Sequence, residues 1–134
     1  MSDNGKKFDI DWSQFDIHQT FEISEGIQKG LDISYYAKPE FSYYKMREIR
    51  YGLEDGLDVS IYAKKEFDNN QMFQIRKGLE SGLDVSKYAN SELSSKEMEQ
   101  IRVDLENIDT SEHSIQNQNI DDEIETIFQR MKVM

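Results

Sequence analysis

The chain has 134 residues, a formal net charge of −11 and no cysteine. That length supports one domain with a modest core, and the missing cysteines exclude disulfides and cysteine-based zinc or redox chemistry. The excess of acids disfavours direct contact with nucleic acid, whose phosphates need Lys and Arg partners, and favours basic protein partners.

Residues 1–14 are read as an N-terminal cap: Phe8 and Trp12, with Phe15 behind them, form an aromatic cluster able to cover one end of a core. No apolar stretch follows Lys6 and Lys7, so no secretory signal is expected. No apolar run reaches the roughly 18 residues that a membrane span needs. A protein of the cytoplasm with no membrane contact is the expectation.

From residue 15 the chain repeats itself. The phrase Gly-Leu-Asp-(Ile/Val)-Ser-x-Tyr-Ala starts at Gly30, Gly56 and Gly82, a step of 26 residues each time. A fixed period of this length marks a repeat architecture. Further columns share the register: Phe15, Phe41, Phe67 and Leu93; Thr20, Met46, Met72 and Met98; Ile23, Ile49, Ile75 and Ile101. Met46, Ile49 and Leu53 stand at i, i+3 and i+7, one face of an amphipathic helix. Asp68 with Gln71 and Ser94 with Glu97 are capping-box pairs, and Ser42 is an N-cap without a box partner. Gly30, Gly56 and Gly82 suit the left-handed residue that ends a helix. Gly26, Gly52 and Gly78 fall inside the helical pattern, and their recurrence suggests close approach of a neighbouring backbone. Asp32, Asp58 and Asp84 then cap a short second helix, Ile33 to Ala37 and its equivalents.

One unit is thus a long helix, a glycine corner and a short helix. It cannot bury its apolar face alone, so the expected fold is an all-α, short helical-repeat solenoid over residues 15–111. The fourth copy is degenerate: Leu105 to Ser111 matches Leu79 to Ser86 only if one glycine is deleted. Residues 112–119 are polar and read as a linker. Residues 120–134 place Ile120, Ile124, Ile127, Phe128 and Met131 on one face of a C-terminal amphipathic helix. That helix docks either on its own chain or on a second copy in a homodimer.

No catalytic constellation emerges. Asp58 and Ser60, with their copies, read as local caps. Arg50, Arg76 and Arg102 precede Glu54, Glu80 and Glu106 by four residues and read as a ladder of ion pairs, worth about 0.3–0.5 kcal/mol each if exposed. His18 and His113 are isolated, so no metal site is expected, and no cofactor motif is present. An enzyme is not expected. The varied columns are the candidates for partner contact, and Tyr43, Tyr44, Tyr51 and Phe73 are aromatics predicted to lie outside the core face.

The run Gln71-Met72-Phe73-Gln74-Ile75-Arg76-Lys77-Gly78-Leu79-Glu80-Ser81-Gly82-Leu83-Asp84-Val85-Ser86-Lys87-Tyr88-Ala89 resembles a short helical repeat found in proteins of bacterial phages, plasmids and conjugative elements. The resemblance covers about residues 15–111 and carries no catalytic residue. It implies a bacterial host cell and a mobile-element origin. Small acidic proteins of such elements block host defence, so the first functional expectation is a non-enzymatic inhibitor of a nucleic-acid-binding defence protein, of the anti-CRISPR or anti-restriction type. It would occupy a basic surface with Asp104, Glu106, Asp109, Glu112, Asp121, Asp122, Glu123 and Glu125. The charge distribution supports the ends for this role: residues 93–134 carry −6, against −1 for residues 41–92. The alternative is a protein-interaction adaptor or assembly module acting through the four aromatics.

Overall fold

The computed structural model describes residues 9–114 and residue 130, with residues 109–114 described as backbone only. Four α-helices carry the fold: α1 (Ile17–Gln28), α2 (Tyr43–Glu54), α3 (Asn69–Glu80) and α4 (Ser95–Ser114). Among the described residues there is no strand. Each long helix packs on the next in chain order. The all-α expectation is met.

The starts of the helices follow the capping chemistry in the sequence. Asp68 and Gln71 form a reciprocal box at α3, and Ser94 and Glu97 form one at α4. Ser42 Oγ accepts from the Lys45 amide without a box. Asp16 and Gln19 form a third box at α1. The side-chain amide of each boxed Gln also ties the following copy: Gln19 donates to the Phe41 carbonyl at 2.7 Å, and Gln71 to the Leu93 carbonyl at 2.7 Å.

The first three helices stop at their glycines. Gly30, Gly56 and Gly82 have φ of 71°, 73° and 75°. In the first corner the Leu31 amide donates to Gly26 O at 2.9 Å and the Gly30 amide to Ile27 O at 3.1 Å, a Schellman pair that satisfies two helix-end carbonyls. The second helix of each unit is shorter than expected, a single 3-10 turn at Ile33–Tyr35, Val59–Ile61 and Val85–Lys87. Asp32, Asp58 and Asp84 cap these turns by accepting from Ser34, Ser60 and Ser86. The Asp–Ser pairs are therefore structural.

The inner glycines have a different partner from the one the sequence suggested. The atoms nearest a would-be Cβ there are side-chain atoms of the same unit, not a neighbouring backbone. The unit's own tyrosine comes closest: a Cβ on Gly26, Gly52 or Gly78 would lie 2.1, 2.2 or 2.1 Å from the hydroxyl of Tyr36, Tyr62 or Tyr88. Each hydroxyl donates to a helix carbonyl at 2.6 Å, those of Glu22, Glu48 and Gln74. The three tyrosines and Met46, Met72 and Met98 are fully buried, with Ile23, Ile49 and Ile75. Burial pushes the tyrosine pKa values well above the ordinary range, against the opposing pull of Arg50, Arg76 and Arg102.

At the N-terminal end, Ile10 and Phe15 pack against the core, whereas Trp12 lies on a 3-10 turn (Trp12–Gln14) and is 41% exposed. Trp12 therefore does not cover the core as expected, and Phe8 lies outside the described residues. In the fourth copy no corner forms. Asp104 and Ile108 replace the two glycines, and α4 continues to Ser114. Helix thus occupies residues 112–114, the start of the expected linker, while 115–119 lie outside the described residues.

Candidate protein-interaction face

The arginine column forms the lattice beneath the outer surface. Arg50 Nε donates to Glu22 Oε1 at 2.7 Å across copies, and its Nη1 donates to Glu54 within α2. Arg76 repeats this with Glu48 at 2.7 Å and Glu80 at 2.5 Å. Arg102 takes the neutral Gln74 Oε1 at 2.9 Å and Glu106 at 2.8 Å. The expected ladder exists both within and between copies, but its energetics differ from an exposed one. Arg50 and Glu22 are buried, at 7% and 4% exposure. Burial opposes the charge on Arg50, but the hydrogen bond and field of Glu22, with Glu54 behind them, outweigh it and hold the guanidinium above its ordinary pKa. The acceptor column, Glu22, Glu48 and Gln74, was missed in the sequence. Its signal was an acid or amide two residues before each arginine column position, 28 residues ahead of its partner.

On this lattice lie the aromatics. Tyr43 stacks between His18 of α1 and Tyr44, with ring centroids 4.7 and 4.1 Å away. The Arg47 guanidinium sits over both tyrosine rings, at 5.4 and 5.6 Å. Farther along, Tyr51 is flanked by Arg50 and Arg76 at 5.1 and 5.2 Å, and Phe73 by Arg76 and Lys77 at 5.4 and 5.9 Å. These are cation–π distances. Two contact runs therefore cross from α1 to α2 and from α2 to α3. Tyr44 and Phe73 present open surface, at 50% and 37% exposure, while Tyr43 and Tyr51 are half-buried. The four predicted aromatics are thus brought onto one side of the helices.

The face is wider than the sequence reading drew it. Ile17, Phe21 and Val103 are also exposed. At steps of one or two copies, Ile17 aligns with Tyr43, Phe21 with Arg47 and Phe73, and Val103 with Lys77 and Tyr51. Shifting the varied columns back onto α1 would have found Ile17 and Phe21. Positions four apart lie on one side of a helix, so these residues share the outer stripe.

The predicted acids are not brought together in this way. Asp104 is buried at 2% exposure and accepts from Arg130 at 3.0 Å, and Glu106 pairs with Arg102. Asp104 is thereby corrected from a surface charge to a buried group paired with Arg130, from beyond the repeat, while Glu106 is held by the ladder that the sequence already drew to Arg102. Asp109 and Glu112 lie on α4 with side chains outside the description, and Asp121, Asp122, Glu123 and Glu125 lie outside the described residues. Among the described residues no cluster of His, Asp and Glu could hold a metal ion, and no helix is long and apolar enough to cross a membrane. The chain matches no family model, no curated protein and no solved structure.

Proposed function

We propose that the chain is a non-enzymatic helical-repeat solenoid that binds another protein through the outer stripe of α1 to α4. One observation carries the reading. Among the described residues six large hydrophobic side chains stay exposed: Ile17, Phe21, Tyr44, Phe73 and Val103 fall on this stripe, and Trp12 lies on the N-terminal 3-10 turn. Scattered exposed apolar residues are ordinary; alignment on one face, with arginines stacked on the rings, is the composition of an interface core. The frame beneath it is built from shared columns, which leaves the varied columns to meet a partner.

The test is site-specific photocrosslinking in the bacterial host. A photoreactive residue at position 44 or 73 should capture one and the same partner, and a control at Glu66, in the turn before α3, should not. The triple variant Tyr44→Ala, Arg47→Ala, Phe73→Ala should lose that partner while keeping its helicity. Equal capture from position 66, or undiminished binding by the triple variant, would sink the reading.

Occupation of a basic surface on a nucleic-acid-binding defence protein is the second reading. The net charge of −11 supports it. The commitment of Asp104 and Glu106 to arginines weighs against it. The two readings separate by salt: a basic target held by acids loses affinity steeply as salt rises, whereas aromatic docking changes little.

A further inference from the structure

Arg47 is the arginine that the frame leaves over. Arg50, Arg76 and Arg102 each donate to two side chains of the lattice. Arg47 donates no hydrogen bond to any described residue. Its Nε stands 3.9 Å from Glu22 Oε2, while Glu22 Oε1 is held by Arg50 at 2.7 Å. The Arg47 guanidinium is placed instead by the rings of Tyr43 and Tyr44, and its side chain keeps 36% exposure. An arginine stacked on aromatic rings, with its N–H donors unused by the fold, suits a planar acceptor. The guanidinium fork matches a carboxylate through two parallel hydrogen bonds.

The charge around Arg47 points the same way. In the columns of Tyr43, Tyr44, Arg47 and Tyr51, helices α2 and α3 hold four aromatics, two amides, Arg47 and Lys77, and no acid. The acids of these columns, Glu25 and Glu99, stand on the two outer helices. Glu22 and Glu48 are neutralised by Arg50 and Arg76, each at 2.7 Å. The middle of the stripe is thus cationic in a chain whose net charge is −11. Lys77 has Glu80 at 3.4 Å, which leaves Arg47 as the cation open to a partner.

We propose, resting on the outer stripe being a docking face, that its partner is a protein segment carrying an Asp or Glu beside a large apolar side chain. The carboxylate seats on Arg47, and the apolar side chain lies against the open surface of Tyr44 or Phe73. The local contact is therefore acidic, opposite to the basic surface that the overall charge favours. Phosphate fits this place less well. A nucleic acid needs a row of cations and meets repulsion from the rest of the chain. A phosphorylated side chain carries close to two charges and calls for an arginine cluster, not one guanidinium.

The probe is a library of short random peptides displayed on phage and selected on the full chain. Peptides whose binding is lost in Tyr44→Ala/Phe73→Ala should be enriched in an acid next to a large apolar residue. Arg47→Gln should weaken such a peptide roughly tenfold, and so should changing its acid to the amide. Both changes together should cost little more than either alone, because each removes the same contact. Arg47→Lys keeps the charge without the fork and should restore only part of the affinity. Arg47→Gln should keep its helicity, since Arg47 makes no hydrogen bond within the fold. Peptides that need Tyr44 and Phe73 but lose nothing on acid-to-amide change overturn the carboxylate proposal and leave the docking face standing. Tighter binding when phosphoserine replaces the acid also overturns it, in favour of phosphate. A selection that enriches no peptide dependent on Tyr44 and Phe73 overturns the docking face and the proposal together.

Discussion

Gly78 and Asp104 hold the same place in the repeat, one copy apart, and the chain behaves differently around each. At Gly78 the absent Cβ admits Tyr88, whose hydroxyl lies 2.1 Å from where that atom would be. Four residues on, Gly82 turns the chain with φ of 75°. At Asp104 the side chain is retained, Ile108 takes the place of the turning glycine, Ser114 takes the place of the tyrosine, and α4 runs through. The glycine corner and the buried tyrosine are thus one device, lost together. Where the device is present, the unit buries its own second segment. Where it is absent, the helix continues and the exposed end of the core needs another cover.

The largest expected effect separates the two regions by charge. In the second copy Arg50 neutralises the buried Glu22; in the fourth, Arg102 meets the neutral Gln74. Arg50→Ala leaves the buried Glu22 only the more distant Arg47, 3.9 Å away, and should cost about 3 kcal/mol, the low end for a broken buried pair. Arg102→Ala leaves the Gln74 amide oxygen without this donor, while Glu106 is half-exposed and keeps the Ser81 hydroxyl, and should cost only about 1–2 kcal/mol. Urea titration of both variants checks this. Equal losses would mean that the inter-copy ion pair contributes no more than its neutral counterpart.

Next comes the glycine–tyrosine device. Gly78→Ala gains helix propensity but forces the Tyr88 hydroxyl and Val85 away, since the new Cβ would meet them at 2.1 and 2.8 Å. Overpacking should win, with a net loss of about 1–3 kcal/mol. Removing the hydroxyl in Gly78→Ala/Tyr88→Phe should make the double variant less destabilised than the sum of the singles. Strict additivity would show that the hydroxyl is not what the glycine accommodates.

The sequence made the frame legible because the frame repeats. Capping pairs, turning glycines and the Tyr, Met and Ile core columns can be read from copy-to-copy identity and known local chemistry. The candidate face was only partly legible. Tyr43, Tyr44, Tyr51 and Phe73 stood out as aromatics off the core stripe, whereas Phe21 stood in a first copy too divergent to draw attention. The role of Gly26, Gly52 and Gly78 was not legible, because periodicity shows that space is needed but not what fills it. The burial of Asp104 was hidden for a similar reason: its partner, Arg130, lies beyond the repeat and outside its register.

The buried tyrosines also set a pH dependence that only the first three units share. Their pKa values are raised in the fold, so the neutral form is the one the core holds. The stability they contribute is fully present below the unfolded-state value of about 10 and is lost as pH rises above it towards the folded value. Each tyrosine should cost about 1 kcal/mol of stability by pH 11, approaching a slope of 1.4 kcal/mol per pH unit. The urea midpoint measured from pH 8 to 11.5 should stay level and then fall. Tyr88→Phe should reduce the steepness of that fall by about a third. An unchanged slope in Tyr88→Phe would place the alkaline transition elsewhere, in the lysines or the arginine pairs.

The smallest effect contrasts two glycines within one copy. Gly52 has no room: a Cβ would lie 2.2 Å from the Tyr62 hydroxyl. Gly56, four residues later, has nothing within 4 Å of its would-be Cβ, but its φ is 73°. The first is constrained by volume and the second by backbone alone. Asn tolerates the left-handed conformation better than other side-chain residues. Gly56→Asn should therefore cost only a few tenths of a kcal/mol, and Gly56→Ala about 1 kcal/mol. At Gly52 the order should reverse, with Asn worse than Ala, because volume decides there and Asn is larger. A common order at both sites would mean that one constraint, not two, produced the recurrence of glycine in this repeat.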